Sequence, residues 1–406
     1  MKGVGRLSGI VQESSLYALL FLLPFSKSAI EILFGVLLLA WLADRVPAAT
    51  RAETVWRQPR LHSLAWALGL TLAAFALSIP FSDYPDTSLR GFVGKWVEYL
   101  LMVVLAAELG RRPRVAERAL VALAWATAFV VIEAVSQELL GAGLFLRHPL
   151  KTYYRMTGPY ENPIDLAAFF MVAVPCLTAF AVTRRRRLRW LIGGVVLAAI
   201  GCLGRTMAFG VWLGLGLAAA AMAVAGPPAL RRGVLLMATA AALSVGFFLH
   251  RTGMFREIVT LSDVGTADRV VMWQAAVNMI KDRPVLGHGV NTFMANYLAY
   301  WVGGERQPRY AHNCYLQVAA ETGIVGLAAF LWLLWVLHRT LWSSIRGDSA
   351  EARTLLVGVW AALAAFAAQS AMDTHFYALR QAALFWMLAG LAVGLSERLA
   401  FGPHTP

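Results

Sequence analysis

Charge is what this chain has least of. Only 15% of its 406 residues are charged, whereas 59% are hydrophobic, and the mean hydropathy is +0.62. That balance excludes the soluble globular classes and fits a polytopic membrane protein. Cysteine is scarce too. Cys176, Cys202 and Cys314 lie in or beside apolar runs without short paired spacing, which argues against a disulfide framework or a cysteine metal site and leaves buried free thiols. No phosphate-binding glycine loop, dinucleotide fingerprint, H-x-x-x-H or D-x-D spacing occurs. Neither a metal nor any other cofactor is therefore expected, and the energy of any reaction must come from the substrate. No internal repeat or low-complexity segment stands out, and no cleavage pattern follows the first apolar run, so that run is expected to stay as a membrane anchor.

What is present is a succession of apolar runs. The expectation is an all-α protein with about twelve transmembrane helices. Two short ones are joined at Pro24–Lys27, and the others lie near 62–80, 91–109, 115–139, 163–182, 188–203, 206–225, 232–249, 312–337, 354–373 and 379–396. The net charge of +13 comes from short basic clusters rather than one continuous face, which speaks for topology signals and against nucleic acid. With twelve crossings the clusters at Arg45–Arg60, Arg111–Arg118, Arg184–Arg189, Arg231–Arg232 and Arg339–Arg353 all fall on one side. The positive-inside rule makes that side, and both termini, cytoplasmic. Nine spans would occupy 1–249, an extracytoplasmic helical loop 250–311, three more spans 312–397, and a cytoplasmic tail 398–406. Within the loop, Val271, Trp273, Ala276, Val277 and Ile280 have the spacing of an amphipathic helix, ended by Pro284 and Gly287.

The run Tyr310–Gly326 places polar groups where lipid should be: Asn313, Gln317 and Glu321, spaced by four behind His312. A carboxylate so far inside a span points to a protein interior or a wet cavity. Helix geometry would stack the three on one face with His312 at its mouth. Such a histidine could take a proton from an incoming hydroxyl at neutral pH, or simply cap the helix at the interface. Arg205 sits in a very short connection between apolar segments with no acidic residue within ten positions. Its partner must be distant in the chain or a ligand, and a lipid phosphate would suit a guanidinium fork. Arg269 either pairs locally with Asp268 or serves a site. Arg155 precedes TGPYENP, a turn that includes Tyr160 and Asn162, and is either near the membrane surface or simply solvated. His288, and Asp373 with His375 in the turn before Arg380, are lesser candidates.

HNCYLQVAAETGIVG from His312, GRTMAFGVW from Gly204 and RVVMWQAAVNMIKDRPVLGHGVNTF from Arg269 together resemble the O-antigen ligase family. RMTGPYENP from Arg155 is similar to a looser element of that family, and Gly204 stands where the family usually has a serine. The resemblance implies a GT-C-like glycosyltransferase of the Gram-negative inner membrane, acting at the periplasmic face. It implies transfer of a glycan from undecaprenyl diphosphate to lipid A-core oligosaccharide without a metal and with inversion. His312 would be the general base, and Arg205, Arg269 and Arg155 would hold the diphosphate. Asn313, Gln317, Glu321, Tyr160 and Asn162 would support them. O-antigen polymerases and protein O-oligosaccharyltransferases share the pattern and remain alternatives. A lipid-linked glycan transporter is the competing non-enzyme, but it predicts polar residues at mid-membrane and an echo between halves.

Overall fold

The computed structural model describes residues 2–45, 56, 58–150, 155–252, 264–303, 307, 309–345 and 350–401. Parts of the first and last basic clusters, the middle of the loop expected over 250–311 and the tail beyond 401 lie outside the described residues. Among the described residues the regular structure is helical, apart from one bridge between Ala142 and Pro149. The principal helices are α1 Lys2–Leu22, α2 Lys27–Arg45, α3 His62–Leu77, α4 Pro85–Gly91, α5 Glu98–Gly110, α6 Val115–Leu140 and α7 Pro163–Val182. They continue as α8 Arg186–Thr206, α9 Phe209–Ala225, α10 Pro228–Thr252, α11 Val264–Asp282, α12 Cys314–Ser344, α13 Ala350–Gln369 and α14 Leu379–Phe401.

Eight segments among the described residues are long and apolar enough to cross a membrane, where the sequence suggested about twelve. They run His62–Phe81, Val115–Leu140, Pro163–Val182, Arg186–Thr206, Pro228–Phe248, Cys314–Ser344, Ala350–Gln369 and Leu379–Ala400. Leu7–Leu22 and Phe209–Ala225 are apolar but shorter. The other two expected spans fall short for visible reasons. Lys27, Glu31, Asp44 and Arg45 interrupt the apolar character of α2. The span expected over 91–109 is divided, with a π-helical stretch Phe92–Val97 ahead of α5.

The bundle is built around α7, α13 and α14, whose apolar stretches are 89%, 72% and 83% buried, against 17% for α10 at the rim. Glycine sets the closest approach. A Cβ on Gly110 would meet the Leu391 carbonyl oxygen at 2.7 Å, and one on Gly394 would strike that of Ala107, so α5 and α14 touch backbone to backbone. Such packing drives helix association where lipid removes the hydrophobic incentive. Basic residues gather at one end of the bundle. There Arg184 pairs with Glu117 at 3.2 Å and with Glu351, and Arg112 donates to Gln12 Oε1 at 2.7 Å. His312, the last turn of α8 and α11 occupy the opposite end.

α11 is the expected amphipathic helix, and of the five residues expected on its apolar face Ala276 is buried and Ile280 packs against the same cluster. Met272, Ala275, Ala276 and Met279 point inward, packed with Phe293, Tyr297, Ala311 and Ala320, while Val277 is 37% exposed. Apolar residues go most of the way round this helix, so their spacing alone could not choose the face.

The turn after α11 is woven into α12. At Gly323 the α12 backbone leaves helical geometry, with φ 63° and ψ −168°, a region open almost only to glycine. Breaking a helix at membrane depth strands backbone groups, and each one left bare costs several kcal/mol. Here the turn fills the gap. His288 N and Gly289 N donate to the carbonyls of Ala320 and Glu321 at 3.1 and 2.7 Å, while Ile324 N and Val325 N donate to those of Pro284 and Val285 at 2.9 and 3.4 Å. Gly323→Ala should cost about 1–3 kcal/mol in backbone strain, before any clash of its Cβ with the Val285 carbonyl. A clear drop in thermal unfolding temperature in detergent is expected; an unchanged midpoint would contradict the break.

Candidate active site

α12 begins at Cys314, so the polar stripe divides into separate jobs. Asn313 is the N-cap, its Oδ1 accepting from Tyr315 N and Leu316 N at 3.0 Å each, a role its side chain suits well. Gln317 receives Ala311 N on Oε1 at 3.2 Å and donates through Nε2 to Glu321 Oε1 at 3.2 Å. The four-residue stacking expected from the sequence is thus realised between Gln317 and Glu321. Glu321 is fully buried and satisfied without a cavity. It accepts from Asn291 N at 2.7 Å, Tyr377 Oη at 2.8 Å and Phe293 N at 3.0 Å. This carboxylate pins the turn after α11 and the chain between α13 and α14 onto α12.

His312 lies just outside the helix, in the left-handed region at φ 47°. Its carbonyl accepts from Trp273 Nε1 at 3.4 Å. Its Nδ1 lies 3.1 Å from Asp373 Oδ1, with the His312 side chain 31% exposed and that of Asp373 9%. Burial pushes the Asp373 carboxyl up, but the hydrogen bond from His312, the neighbouring imidazoles and the Thr374 N–H outweigh it and hold it at about 2. A carboxylate facing Nδ1 takes the proton there and leaves the lone pair on Nε2, which has no hydrogen-bond partner among the described residues. An oriented base with an open nitrogen can receive a proton from a hydroxyl brought to it.

The arginines fall into two groups. Arg269 precedes Trp273 by four residues on α11, so it lies one turn from the indole that reaches His312. Asp268 pairs with Arg309 at 3.3 Å rather than with its neighbour, and Arg269 has no ion-pair partner among the described residues. Arg205 occupies the last turn of α8. Its distant partner is Glu138, near the end of α6, which accepts from Nη2 at 2.7 and 2.8 Å and from Nε at 3.1 Å. The Phe248 ring lies 5.6 Å from the guanidinium carbon. Arg155 is folded onto the same helix end, donating from Nε to the Thr206 carbonyl at 2.7 Å and from Nη2 to that of Met207 at 3.4 Å. The groups are neighbours through α9, where Gly210 packs against Gln369 and Met372, the latter adjoining Asp373.

Tyr160 and Asn162 shape the segment between these groups. Tyr160 is buried under the Arg380 guanidinium, 5.1 Å from ring to carbon, and Arg380 Nη1 donates to the Pro159 carbonyl at 3.2 Å. Asn162 caps α7 by accepting from Ile164 N at 2.8 Å. Sequence reasoning ranked Asp373 low and did not single out Glu138 or the structural part of Trp273. Asp373 stands 61 residues from His312, and its one signal was a polar D-T-H cluster between two apolar runs. Glu138 could have been found as an acidic residue at the same end of the bundle as Arg205.

Residues 166–331 match the family model described as O-Antigen ligase. No curated protein matches the chain. The matched stretch takes in Arg205, Arg269, His312 and both halves of the weave between 284–289 and 320–325. Over that stretch this multi-pass membrane protein is similar to the O-antigen ligase family.

Proposed function

We propose that the chain is a GT-C-like glycosyltransferase that moves an O-antigen glycan from undecaprenyl diphosphate to a sugar hydroxyl of lipid A-core, without a cofactor. The basic end of the bundle would face the cytoplasm and the His312 end the periplasm of a Gram-negative inner membrane. The observation that carries this reading is the pairing of His312 with a buried, ionised Asp373, which leaves Nε2 open. Nε2 removes the proton from the acceptor hydroxyl as that oxygen bonds to the anomeric carbon. The bond from that carbon to the diphosphate oxygen breaks, and its electron pair leaves with the phosphate. Attack opposite the leaving group inverts the anomeric centre. Asp373 steadies the imidazolium that results.

Arg269 and Arg205 meet the charge that grows on the diphosphate, an effect strongest where donors are already in place and water is scarce. Arg155 shapes this site by holding the end of α8 through the Thr206 and Met207 carbonyls. Asn313, Gln317 and Glu321 hold the start of α12 in register with the turn after α11, and Tyr160 and Asn162 seat the start of α7. Polymerase and protein-transferase chemistry would use the same groups and differ only in the acceptor. Offering purified protein the lipid-linked glycan with either lipid A-core or a second lipid-linked glycan separates these by product.

His312→Ala should abolish glycan transfer while leaving the unfolding midpoint and membrane insertion intact. Normal attachment in that variant would remove the general-base role. Asp373→Asn should keep the fold and lower kcat by about a hundredfold or more, because an amide no longer favours the proton on Nδ1. Undiminished turnover would make the pair merely structural. Arg269→Ala should raise KM for the lipid-linked donor and leave KM for the acceptor near its original value; the reverse pattern would assign Arg269 to the acceptor.

A further inference from the structure

Arg205 is placed to receive a phosphate, yet its best donors are already taken. Nε and one Nη2 hydrogen face both oxygens of Glu138 in a fork, at 2.7 to 3.1 Å. This is the geometry in which a guanidinium binds a phosphate as well as a carboxylate. Nη1 makes no hydrogen bond among the described residues, and Phe248 covers the guanidinium from one side. Among the described residues Glu138 has a single hydrogen-bond partner, Arg205, whereas Glu133, the other acidic residue near this end of α6, is committed to the N–H groups of Phe145 and Leu146 at 2.8 and 2.9 Å. The pair is only partly covered, with 18% of the arginine side chain and 35% of the glutamate side chain exposed. Glu138 is followed by Leu139 and Leu140, which are 76% and 69% exposed, and then by Gly141 in the left-handed region. The carboxylate is therefore held through Arg205 in the last turn of α6.

We propose that Glu138 is a resident anion that occupies the Arg205 fork in the empty enzyme and is displaced by the diphosphate of the donor. This rests on the reading of Arg205 as a diphosphate ligand. The exchange keeps the guanidinium charge paired in both states, which matters at a membrane boundary where a bare arginine is costly. It also sets a ceiling on affinity. The diphosphate must outcompete a carboxylate at close range, so the product lipid is bound less tightly than an unopposed arginine would bind it. When the glycan has left, Glu138 returns to the fork and assists departure of the spent diphosphate.

A positioning role for Glu138 predicts the opposite sign, so the two are separable. Purified Glu138→Gln, which keeps the shape but loses the charge, should bind undecaprenyl diphosphate about fivefold more tightly than the parent, as read by product inhibition and by direct titration. Donor KM should fall with it. Glu138→Ala, which also removes the charge, should bind more tightly in the same way and serves if the glutamine variant folds poorly, whereas Glu138→Asp, shorter but still charged, should bind no more tightly than the parent. In an Arg205→Ala background the Glu138→Gln change should have no further effect. Weaker or unchanged binding in Glu138→Gln, with Arg205→Ala still impaired in donor binding, overturns the displacement and leaves Arg205 as a phosphate ligand. Unimpaired donor binding in Arg205→Ala overturns the phosphate role of Arg205 itself, and the displacement with it.

Discussion

A helix that breaks inside a membrane must find new partners for the backbone groups it releases, because lipid offers none. Much of the site is organised around that requirement. α12 breaks at Gly323, and the chain between Pro284 and Gly289 supplies N–H groups to the carbonyls above the break and carbonyls to the N–H groups below it. Glu321 completes the joint by accepting from the Asn291 and Phe293 amides and from Tyr377. The result fixes three segments to one another at the end of the bundle where His312 and Asp373 meet. Two of the sequence runs that carry the family resemblance, PVLGHG and ETGIVG, are thus two sides of a single joint.

The outline of the fold was legible in the sequence, because apolar runs and arginine clusters report directly on burial in lipid. Its details were less so where an answer depended on a distant segment. Glu321 was conspicuous as an acid within an apolar run, and the inference that it faces protein rather than lipid was sound. That its partners are backbone amides some thirty residues upstream could not be read from composition or spacing. Arg205 was conspicuous for lacking a local acid, and of the two options left open for it the structure shows a partner distant in the chain, Glu138. The face of α11 was read in part: Ala276 and Ile280 pack as expected, but Met272, Ala275 and Met279 join them while Val277 is 37% exposed. The twelve expected spans included a stretch whose π-helical segment is invisible to hydropathy, because the residues are apolar whichever way the backbone winds.

Charge is used differently at the two ends. At the basic end, Arg45, Arg112 and Arg184 reach carboxylates or amides on other helices and tie neighbouring loops together. At the other end the holding is mixed: Arg283 pairs with Asp83 at 2.9 Å and Arg309 with Asp268 at 3.3 Å. Arg155 and Arg380 donate to backbone carbonyls, Arg205 to a lone glutamate, and Arg269 has no acidic partner among the described residues.

The joint at Gly323 also bears on how the chain is made. Translation delivers Pro284–Gly289 before Ala320–Val325, so the segment that fills the break leaves the ribosome ahead of the helix that needs it. The order of synthesis matches the order of need. A chain in which the 284–289 turn did not reach its place would leave the later helix with no means of closing its gap. The placing of one turn thereby decides the stability of the neighbouring helix.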